Sequence, residues 1–394
     1  MTINGKVVLR KGREASARRF HPWIFSGAIE RTEGTLNNGD WVEVADSSDR
    51  TLGYGHYQKG TITVRILSFG ARPDDKFYVK KLREAWAQRK TTRIINEHTN
   101  CFRLAHGEGD GLSGLIVDCY HGAAVVQAHS PGMHADRYQI SAALREVMGS
   151  TLVCVYYKSQ YADSPSEYLF GECELPHVVL EHDRQFYVDW IEGQKTGFFL
   201  DQRENRKLLA EFSSGARVLN TFCYTGGFSV FALAAGATMV CSVDASEKAI
   251  ALTAKNLILN GFDPQRNPCL AMDTFDYFKQ IPDRQEGVAD PFDIIVLDPP
   301  AFAKHKDARH QAMKGYQRLN AEAMRVARPG SLLFTFSCSQ VVDRQLFYDT
   351  MVSSAIQAGR EIQVLNRLSQ PADHPVSMFH PEGEYLKGLV LYIR

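Results

Sequence analysis

Short apolar and β-branched runs alternate with turn signals over the first 72 residues of the chain. The runs include "KVVLR", "DWVEVAD" and "TITVRILSF", and turn residues such as "NNGD" and "GYG" lie between them. Runs of this length, bounded by glycine and asparagine, are typical of strands in a small barrel or sandwich. The pattern therefore predicts a small β-rich domain over residues 1–72.

The period of the apolar positions changes at about residue 74. Apolar side chains now recur at near-helical spacing, at Phe77, Leu82, Ala85 and Trp86, which predicts a helix. Three extended runs follow, "SGLIVDCY", "AAVVQAH" and "TLVCVYY", with a further helix predicted over about 136–148. Residues 73–180 are therefore predicted to form an α+β middle domain.

Residues 181–394 alternate regularly between strand-like and helix-like segments. Seven strand-like runs occur, "ARVLNTF", "TMVCSVD", "NPCLAM", "FDIIVLD", "SLLFTFSC", "EIQVLNRL" and "LKGLVLYI". A βαβ rhythm is typical of a parallel, doubly wound sheet with helices on both faces. The third domain is therefore predicted to have an α/β fold with a seven-stranded sheet.

Composition places the chain among ordinary globular proteins. The hydrophobic fraction is 44%, the formal net charge is zero, and the eight cysteines form no CxxC pair. Neither a metal site nor a disulfide framework is indicated. The first residues lack the apolar segment of a signal peptide, and no apolar run approaches membrane-spanning length, so a cytoplasmic protein without a membrane partner is expected.

The charge is unevenly distributed despite the zero total. Residues 1–93 contain 18 Lys and Arg against 10 Asp and Glu, so the rest of the chain is correspondingly acidic. Such an asymmetry favours a basic module that faces a polyanion, although a merely solvated surface would explain it as well. Within "RRFHPWIF", Arg18 and Arg19 could pair with phosphates while Phe20 and Trp23 stack on bases, unless the aromatic rings belong to the core.

The first three strands of the third domain end in residues suited to a nucleoside. Gly226 opens a helix after the first strand, Asp244 ends the second, and Asp273 follows the third with Phe275 nearby. Glycine permits close approach of a ligand, and a carboxylate after the second strand can accept from ribose hydroxyls. Each acid alone would more often cap a helix, but the set together predicts a nucleoside site.

The fourth strand ends in "DPPAF", which begins at Asp298. Two consecutive prolines make a rigid, extended turn that fixes the preceding side chain at the sheet edge. Prolines often merely end a strand, but this turn is expected beside the predicted ligand crevice, at the point where the strand order reverses. Asp298 is therefore predicted to belong to the site.

These motifs resemble class I S-adenosylmethionine-dependent methyltransferases, and more closely the ribosomal RNA large subunit methyltransferase I family. The resemblance covers nearly the whole chain through "KGREASARRFHPWIFSGAI", "GEGDGLSGLIVD", "GQKTGFFLDQRENR", "FCYTGGFSV", "LDPPAF", "FSCS" and "DHPVSMFHPEGEYLKG". It implies a Rossmann-like methyltransferase domain preceded by an RNA-binding PUA-like domain, with S-adenosyl-L-methionine as cofactor. It implies that Phe199, Asp201, Arg203, Gly226, Asp244, Asp273 and Asp298 line the cofactor site. Tyr224, Ser246 and Phe275 complete the set of residues that are predicted to bind the cofactor.

Cys338 in "TFSCSQ" is either a buried thiol or a nucleophile. Carbon 5 of a pyrimidine becomes nucleophilic only after a group adds at carbon 6, and a thiolate can add there. Neighbouring strands of a sheet lie about 4.8 Å apart, so Cys338 and Asp298 are expected at the same edge. Both are therefore predicted to be catalytic, whereas Cys223 in the glycine turn is expected to be structural.

The predicted function is formation of 5-methylcytosine in large-subunit (23S) ribosomal RNA through a covalent Cys338 intermediate. Two alternatives remain, an amino-group methyltransferase, which also uses an Asp-Pro-Pro turn, and a non-catalytic RNA-binding assembly factor. Ribosomal RNA is the expected partner, and a homodimer is left open. The base that removes the C5 proton is unassigned among Asp373, His374, Glu382 and Glu384.

Overall fold

The computed structural model describes residues 1–162, 164–281, 292–303 and 306–394, and the chain divides into two compact units. Unit 1 contains Met1–Val179, Val188–Leu200 and Ala372–Gly383, and unit 2 contains Leu180–Tyr187, Asp201–Pro371 and Glu384–Arg394. Both units are therefore built from segments that are distant in sequence. No helix in these described ranges combines the length and the apolar character needed to cross a membrane.

The N-terminal part of unit 1 is a six-stranded sheet with strand order β2-β6-β5-β4-β1-β3. Its strands are β1 (Gly5–Leu9), β2 (Trp23–Phe25), β3 (Ile29–Glu33), β4 (Trp41–Ala45), β5 (Thr51–Tyr57) and β6 (Ile62–Ser68), and the short helix α1 spans Ala15–Arg18. Strands β1 and β4 are parallel, and the other pairs are antiparallel. One face of this sheet buries aliphatic residues that include Val7, Leu9, Val42, Val44, Val64 and Ile66.

The remainder of unit 1 is a five-stranded sheet with helices packed against it, in strand order β11-β10-β9-β8-β7. The strands are β7 (Cys101–His106), β8 (Leu115–Tyr120), β9 (Ala123–Ala128), β10 (Cys154–Tyr157) and β11 (Glu167–Phe170). The helices are α2 (Phe77–Thr91), α3 (Pro131–Ala135) and α4 (Arg137–Met148). The two predicted helices and three predicted strands are confirmed as α2, α4, β8, β9 and β10, whereas β7, β11 and α3 were not predicted.

A buried carboxylate joins the two sheets of unit 1. Asp136 accepts hydrogen bonds from Trp41 Nε1 at 2.9 Å and from the Tyr78 hydroxyl at 2.5 Å, and His56 Nε2 lies 3.1 Å from the same oxygen. Trp41 and Leu67 also belong to the core cluster that α2 forms with the five-stranded sheet. Residues 1–72 and 73–180 thus lie in one compact unit, and their division into two domains stays a prediction.

Unit 2 is built on a seven-stranded sheet in the order β16-β15-β14-β17-β18-β20-β19. The strands are β14 (Arg217–Thr221), β15 (Met239–Asp244), β16 (Cys269–Ala271), β17 (Ile294–Leu297), β18 (Leu332–Ser337), β19 (Ile362–Ser369) and β20 (Lys387–Ile393). The helices are α5 (Arg203–Phe212), α6 (Gly227–Ala234), α7 (Glu247–Leu259), α8 (Thr274–Gln280), α9 (Arg309–Val326) and α10 (Arg344–Ala358). A two-stranded sheet, β12 (His177–Glu181) with β13 (Arg184–Val188), precedes them.

The predicted seven strands are confirmed, but the sheet is not wholly parallel. Strand β20 lies between β18 and β19 and is antiparallel to both. A parallel neighbour needs a crossover that returns the chain to the starting edge, usually through a helix. No α-helix lies between β19 and β20, so the last strand enters the sheet in the opposite direction. Strand order reverses between β14 and β17, where α/β sheets bind ligands.

Candidate active site

The turn after β14 is held in a strained conformation. Phe222 and Tyr224 have positive φ angles of 54° and 47°, and Gly226 has a φ of 78°. A Cβ atom on Gly226 would lie 2.6 Å from Thr253 Cγ2, so only glycine fits there. Non-glycine residues with positive φ are uncommon and concentrate at functional sites. Packing against Thr253 accounts for the glycine, and the close approach of a ligand to Gly226 stays a prediction.

Asp244 connects this turn to the next helix. Its Oδ2 accepts a hydrogen bond from the Tyr224 N–H at 2.9 Å, and its Oδ1 accepts one from the Ser246 N–H at 2.9 Å. Ser246 in turn caps α7, where its Oγ accepts from the Ala249 N–H at 3.3 Å. The Asp244 carboxylate is thus fixed at the carboxyl end of β15, half-buried and beside the strained turn.

Asp273 caps a helix, which is the role that an isolated acid after a strand commonly has. It is the N-cap of α8, and its Oδ1 accepts from the Phe275 and Asp276 N–H groups at 2.8 and 3.3 Å. The ring of Phe275 packs under the Arg318 guanidinium, with 4.6 Å between the Arg318 Cζ atom and the ring centroid. Both side chains therefore have partners within the protein. Their contacts with an adenine stay predictions.

The structure places Asp298 and Cys338 at the same edge of the sheet. Asp298 follows β17 and Cys338 follows β18, and Leu297 pairs with Thr335 in the parallel register of the two strands. Both side chains are half-buried. Burial, with contributions from nearby Cys338 and Asp298, raises the pKa of the Tyr316 hydroxyl to about 12, so that hydroxyl lies within electrostatic range of both.

A buried lysine that the sequence did not reveal lies next to Cys338. Lys387, the first residue of β20, pairs with Ser337 across the sheet, and its side chain is only 3% exposed. Its Nζ donates to the Ser339 carbonyl at 2.5 Å, and the Ser339 hydroxyl donates to the Ala303 carbonyl at 2.8 Å. Burial lowers the pKa of Lys387 to about 8, against opposing contributions led by Cys338. Lys387 therefore places an ammonium group beside the Cys338 thiol.

Cys223 differs from Cys338 in its surroundings. It lies buried within the glycine turn, and its Sγ is 3.8 Å from Thr253 Oγ1. Burial raises the pKa of the Cys223 thiol well above its usual value, with a further contribution from Asp244. A thiol with a raised pKa is a poor nucleophile, which supports the structural role predicted for Cys223.

The three residues predicted from "FFLDQR" are divided between the two units. Asp201 lies in unit 2 and accepts a hydrogen bond from the Tyr385 hydroxyl at 2.7 Å. Arg203, also in unit 2, is buried, with its Nε 3.6 Å from Glu181 Oε2. Phe199 belongs to unit 1, where Lys195 Nζ lies 5.4 Å from its ring centroid. Their predicted contacts with a cofactor stay predictions.

The predicted RNA-binding residues of unit 1 fall into two groups. Arg18 pairs with Asp46 at 2.6 Å, and Trp23 Nε1 donates to Glu108 at 2.9 Å, so both have partners within the protein. Arg19 and Phe20 are exposed. The second group is therefore better placed to meet RNA than the first.

The four acids and bases considered for proton removal are also divided. Asp373 and His374 are buried in unit 1, where Asp373 Oδ2 accepts from the Arg103 N–H at 3.0 Å and Oδ1 lies 3.0 Å from His374 Nδ1. Glu382 is exposed in unit 1, and Glu384 lies in unit 2 and pairs with Arg344. The contacts of Asp373 stabilise unit 1 itself, and the base stays unassigned.

One group of side chains in the described ranges has the spacing of metal ligands, namely His21, His380 and Glu382 in unit 1. His21 Nδ1 accepts a hydrogen bond from the Trp23 N–H at 3.2 Å. A neutral ring that accepts at Nδ1 carries its proton at Nε2, which lies 3.6 Å from Glu382. That tautomer favours an imidazole–carboxylate interaction over metal ligation, and the absence of a metal stays a prediction.

Comparison with known proteins gives concordant matches. A family model described as "S-adenosylmethionine-dependent methyltransferase" matches residues 137–383, and one described as "PUA-like domain" matches residues 7–69. The chain is 38% identical to ribosomal RNA large subunit methyltransferase I of Aeromonas hydrophila subsp. hydrophila over 100% of both chains. It is 37% identical to the protein of the same name from Tolumonas auensis, over 98% of each.

Solved structures show the same fold. A methyltransferase crystallised with SAH superposes with a TM-score of 0.84 at 24% identity, over 99% of this chain and 100% of that one. A SAM-dependent methyltransferase from Streptococcus mutans gives 0.83 at 23% identity, with the same coverage. The predicted fold class is therefore confirmed, including the PUA-like N-terminal region.

Proposed function

The chain belongs to the ribosomal RNA large subunit methyltransferase I family of S-adenosylmethionine-dependent methyltransferases, and from that premise we propose that it forms 5-methylcytosine in large-subunit ribosomal RNA. The relatives' names support the RNA substrate. The product and the catalytic route are supported by the chemistry of unit 2. We place the protein in the cytoplasm, together with that RNA.

The residues of unit 2 fit the cofactor of the family. Gly226 presents bare backbone at the strand–helix turn, because Thr253 Cγ2 lies 2.6 Å from where a Cβ atom on Gly226 would be. The Asp244 carboxylate is anchored by two backbone N–H groups at the carboxyl end of β15, which is the position from which an acid accepts ribose hydroxyls. These two residues would hold S-adenosyl-L-methionine, which supplies an electrophilic methyl group when bound.

The observation that carries the proposal is the buried Lys387 ammonium beside Cys338. An opposite charge within a few ångströms favours the ionised form of a thiol, and the thiolate is the nucleophile. Because the pKa of Lys387 is lowered only to about 8, the side chain is mostly protonated at neutral pH. An amino-group methyltransferase has no use for a thiolate, since the exocyclic nitrogen itself attacks the methyl group.

Cys338 and Asp298 divide the chemistry on the target base. The Cys338 thiolate adds to carbon 6 of cytosine, which leaves carbon 5 electron-rich and able to accept a methyl group. In its protonated form the Asp298 carboxyl donates to N3 of the base and stabilises the negative charge that thiolate addition brings to the ring. A base, which is unassigned, then takes the C5 proton, and the elimination restores the double bond and expels the Cys338 thiolate for another cycle. The target base must be unpaired or flipped out for Cys338 to reach it.

Nucleoside analysis of ribosomal RNA tests this proposal. RNA from a deletion strain would be methylated in vitro by the wild-type protein or by Cys338→Ala, digested, and analysed by mass spectrometry against N4- and C5-methylated standards. We expect 5-methylcytidine with the wild type and none with Cys338→Ala. Cys223→Ala is the matched control and should retain activity. A methyl group on N4, or full C5 activity of Cys338→Ala, would refute the proposed route.

A further inference from the structure

Phe20 is an exposed aromatic residue at the end of α1. Its φ angle is +62°, and the side chain is 51% exposed. The Phe20 N–H donates to the Ala17 carbonyl at 2.9 Å and the His21 N–H donates to the Ser16 carbonyl at 3.0 Å, so the left-handed backbone closes the helix in a Schellman motif. The helix end explains the backbone conformation but not the exposure of the ring. Phe20 is therefore a candidate contact for a ligand.

Two further apolar side chains lie exposed beside Phe20. The rings of Phe20 and Phe379 are 5.4 Å apart at 60°, and on the other side Phe20 meets Phe69 edge to face at 5.4 Å. Phe379 is 55% exposed, and its neighbour Met378 is 91% exposed. Both come from the segment that returns to unit 1 near the end of the chain. Large exposed apolar side chains that occur together mark binding sites more often than chance exposure.

Met378 and Phe379 line a cavity of about 540 Å³ within unit 1, and Phe20 contacts Phe379 beside that cavity without lining it. Arg13, Arg19 and His21 line it together with Met378 and Phe379. The stretch from Arg10 to Arg19 carries five basic residues and one acid, and Arg13 and Arg19 are exposed. A cavity with aromatic and aliphatic walls and a cationic rim is complementary to a base with flanking phosphates.

We propose that this cavity, called here the Phe379 cavity, binds one unpaired nucleotide of the RNA substrate, with its base against Phe379, which Phe20 supports from outside the cavity, and its phosphates at Arg13 and Arg19. The inference rests on the proposed function in taking RNA as the substrate. It extends the sequence prediction, which contained Arg19 and Phe20 but neither Arg13 nor the C-terminal aromatic residue. Single-stranded RNA is the substrate class recognised, because a paired base has no free face to stack on a side chain.

Fluorescence anisotropy with a labelled single-stranded oligoribonucleotide and with a duplex of the same sequence tests the cavity. Phe379→Ala should weaken single-strand binding roughly tenfold, the usual loss for one stacked base, and should leave its salt dependence unchanged. Arg13→Gln and Arg19→Gln should each lower the slope of log affinity against log salt by about 0.7, since each loses one phosphate contact. Phe379→Trp should retain the affinity.

Tyr138→Ala is the matched control, because Tyr138 is a 55% exposed aromatic residue of the same unit that does not line the cavity. It should bind the single strand as the wild type does. Equal single-strand affinity of Phe379→Ala and wild type would overturn the inference, as would an equal loss for Tyr138→Ala. If only the inference fails, the wild type still forms 5-methylcytidine; if the proposed function fails, that product is missing whatever the binding data show.

Discussion

Asp244 and Asp273 follow neighbouring strands, yet their side chains do different structural work. Asp244 uses both carboxylate oxygens on backbone N–H groups, one in the glycine turn and one at the start of α7. Asp273 uses one oxygen to cap α8. The sequence predicted both positions because an acid at a strand end is a local pattern. It could not separate the two roles, because they depend on backbone groups brought together by folding.

Replacing Asp244 should weaken cofactor binding. We expect Asp244→Ala to reduce the affinity for S-adenosyl-L-methionine by about 1–3 kcal/mol, because the ribose hydroxyls lose a charged acceptor. Isothermal titration calorimetry measures the affinity, and a thermal melt checks that the turn still folds. Asp263→Ala, an exposed acid in the same unit, is the control. Wild-type affinity in a folded Asp244→Ala protein would exclude Asp244 from the cofactor site.

Replacing Lys387 should alter the titration of Cys338. Because the pKa of Lys387 is about 8 in the folded protein, its positive charge is present below that pH and is lost as the pH rises through it. In Lys387→Met that charge is missing at every pH, so the midpoint of Cys338 alkylation should rise by about one pH unit. Alkylation by iodoacetamide across pH 5–10, read by peptide mass spectrometry, gives the midpoint.

The same digests contain a control for this experiment. Cys173, a half-exposed thiol of unit 1, should be alkylated to the same extent in both proteins at each pH. Lys387→Arg should keep the lower midpoint, because arginine remains charged throughout this range. An unchanged Cys338 midpoint in Lys387→Met would show that the ammonium does not act on the thiol.

At the scale of elements, local periodicity predicted the strands but not all of their directions. The strands β14 to β18 follow the βα alternation that the apolar runs indicate, and their parallel pairing results from it. Strand β20 is antiparallel to its neighbours because the segment before it, Ala372–Gly383, belongs to unit 1 and provides no crossover helix. Lys387 was missed for the same reason: at the start of an apolar run a lysine normally lies at the surface, and only the antiparallel pairing with β18 buries it.

The junction of β14 and α6 should tolerate no side chain at Gly226. Gly226→Ala combines a positive φ with a Cβ contact of 2.6 Å to Thr253. Gly236→Ala shares the positive φ, but its Cβ would approach no atom closer than 3.8 Å. We expect Gly226→Ala to lower the free energy of unfolding by about 1–3 kcal/mol more than Gly236→Ala, measured by urea denaturation. Equal losses would show that the turn can relax around a methyl group.

At the scale of the whole molecule, the basic N-terminal region is part of a larger folded unit. The charge asymmetry was counted over residues 1–93, and residues 7–69 of that region match a PUA-like domain. It could not indicate that Trp41 and Leu67 pack in the same core as α2. Such contacts join residues far apart in sequence, and each appears in the sequence only as one more apolar position.

Deleting residues 1–72 should therefore damage the rest of unit 1. The deletion leaves Tyr78 and Asp136 without Trp41 and His56 and exposes part of the core. We expect the truncated protein to bind a hydrophobic dye and to be cleaved by protease within 73–179, while the full chain resists both. A truncated protein that is as resistant as the full chain would show that residues 73–179 fold independently.

The central claim is that Cys338 forms a covalent bond with the target cytosine, and a mechanism-based trap tests it most directly. Ribosomal RNA with 5-fluorocytidine in place of cytidine retains no proton at carbon 5 that can be removed, so the thiol cannot be expelled after methylation. Incubated with S-adenosyl-L-methionine, the wild-type protein should give an RNA-linked band on a denaturing gel, and peptide mapping should locate the link at Cys338. Cys338→Ala should give none, although it binds the cofactor normally. A wild-type enzyme that is active on unmodified RNA yet forms no adduct, or an adduct that persists in Cys338→Ala, would contradict the account.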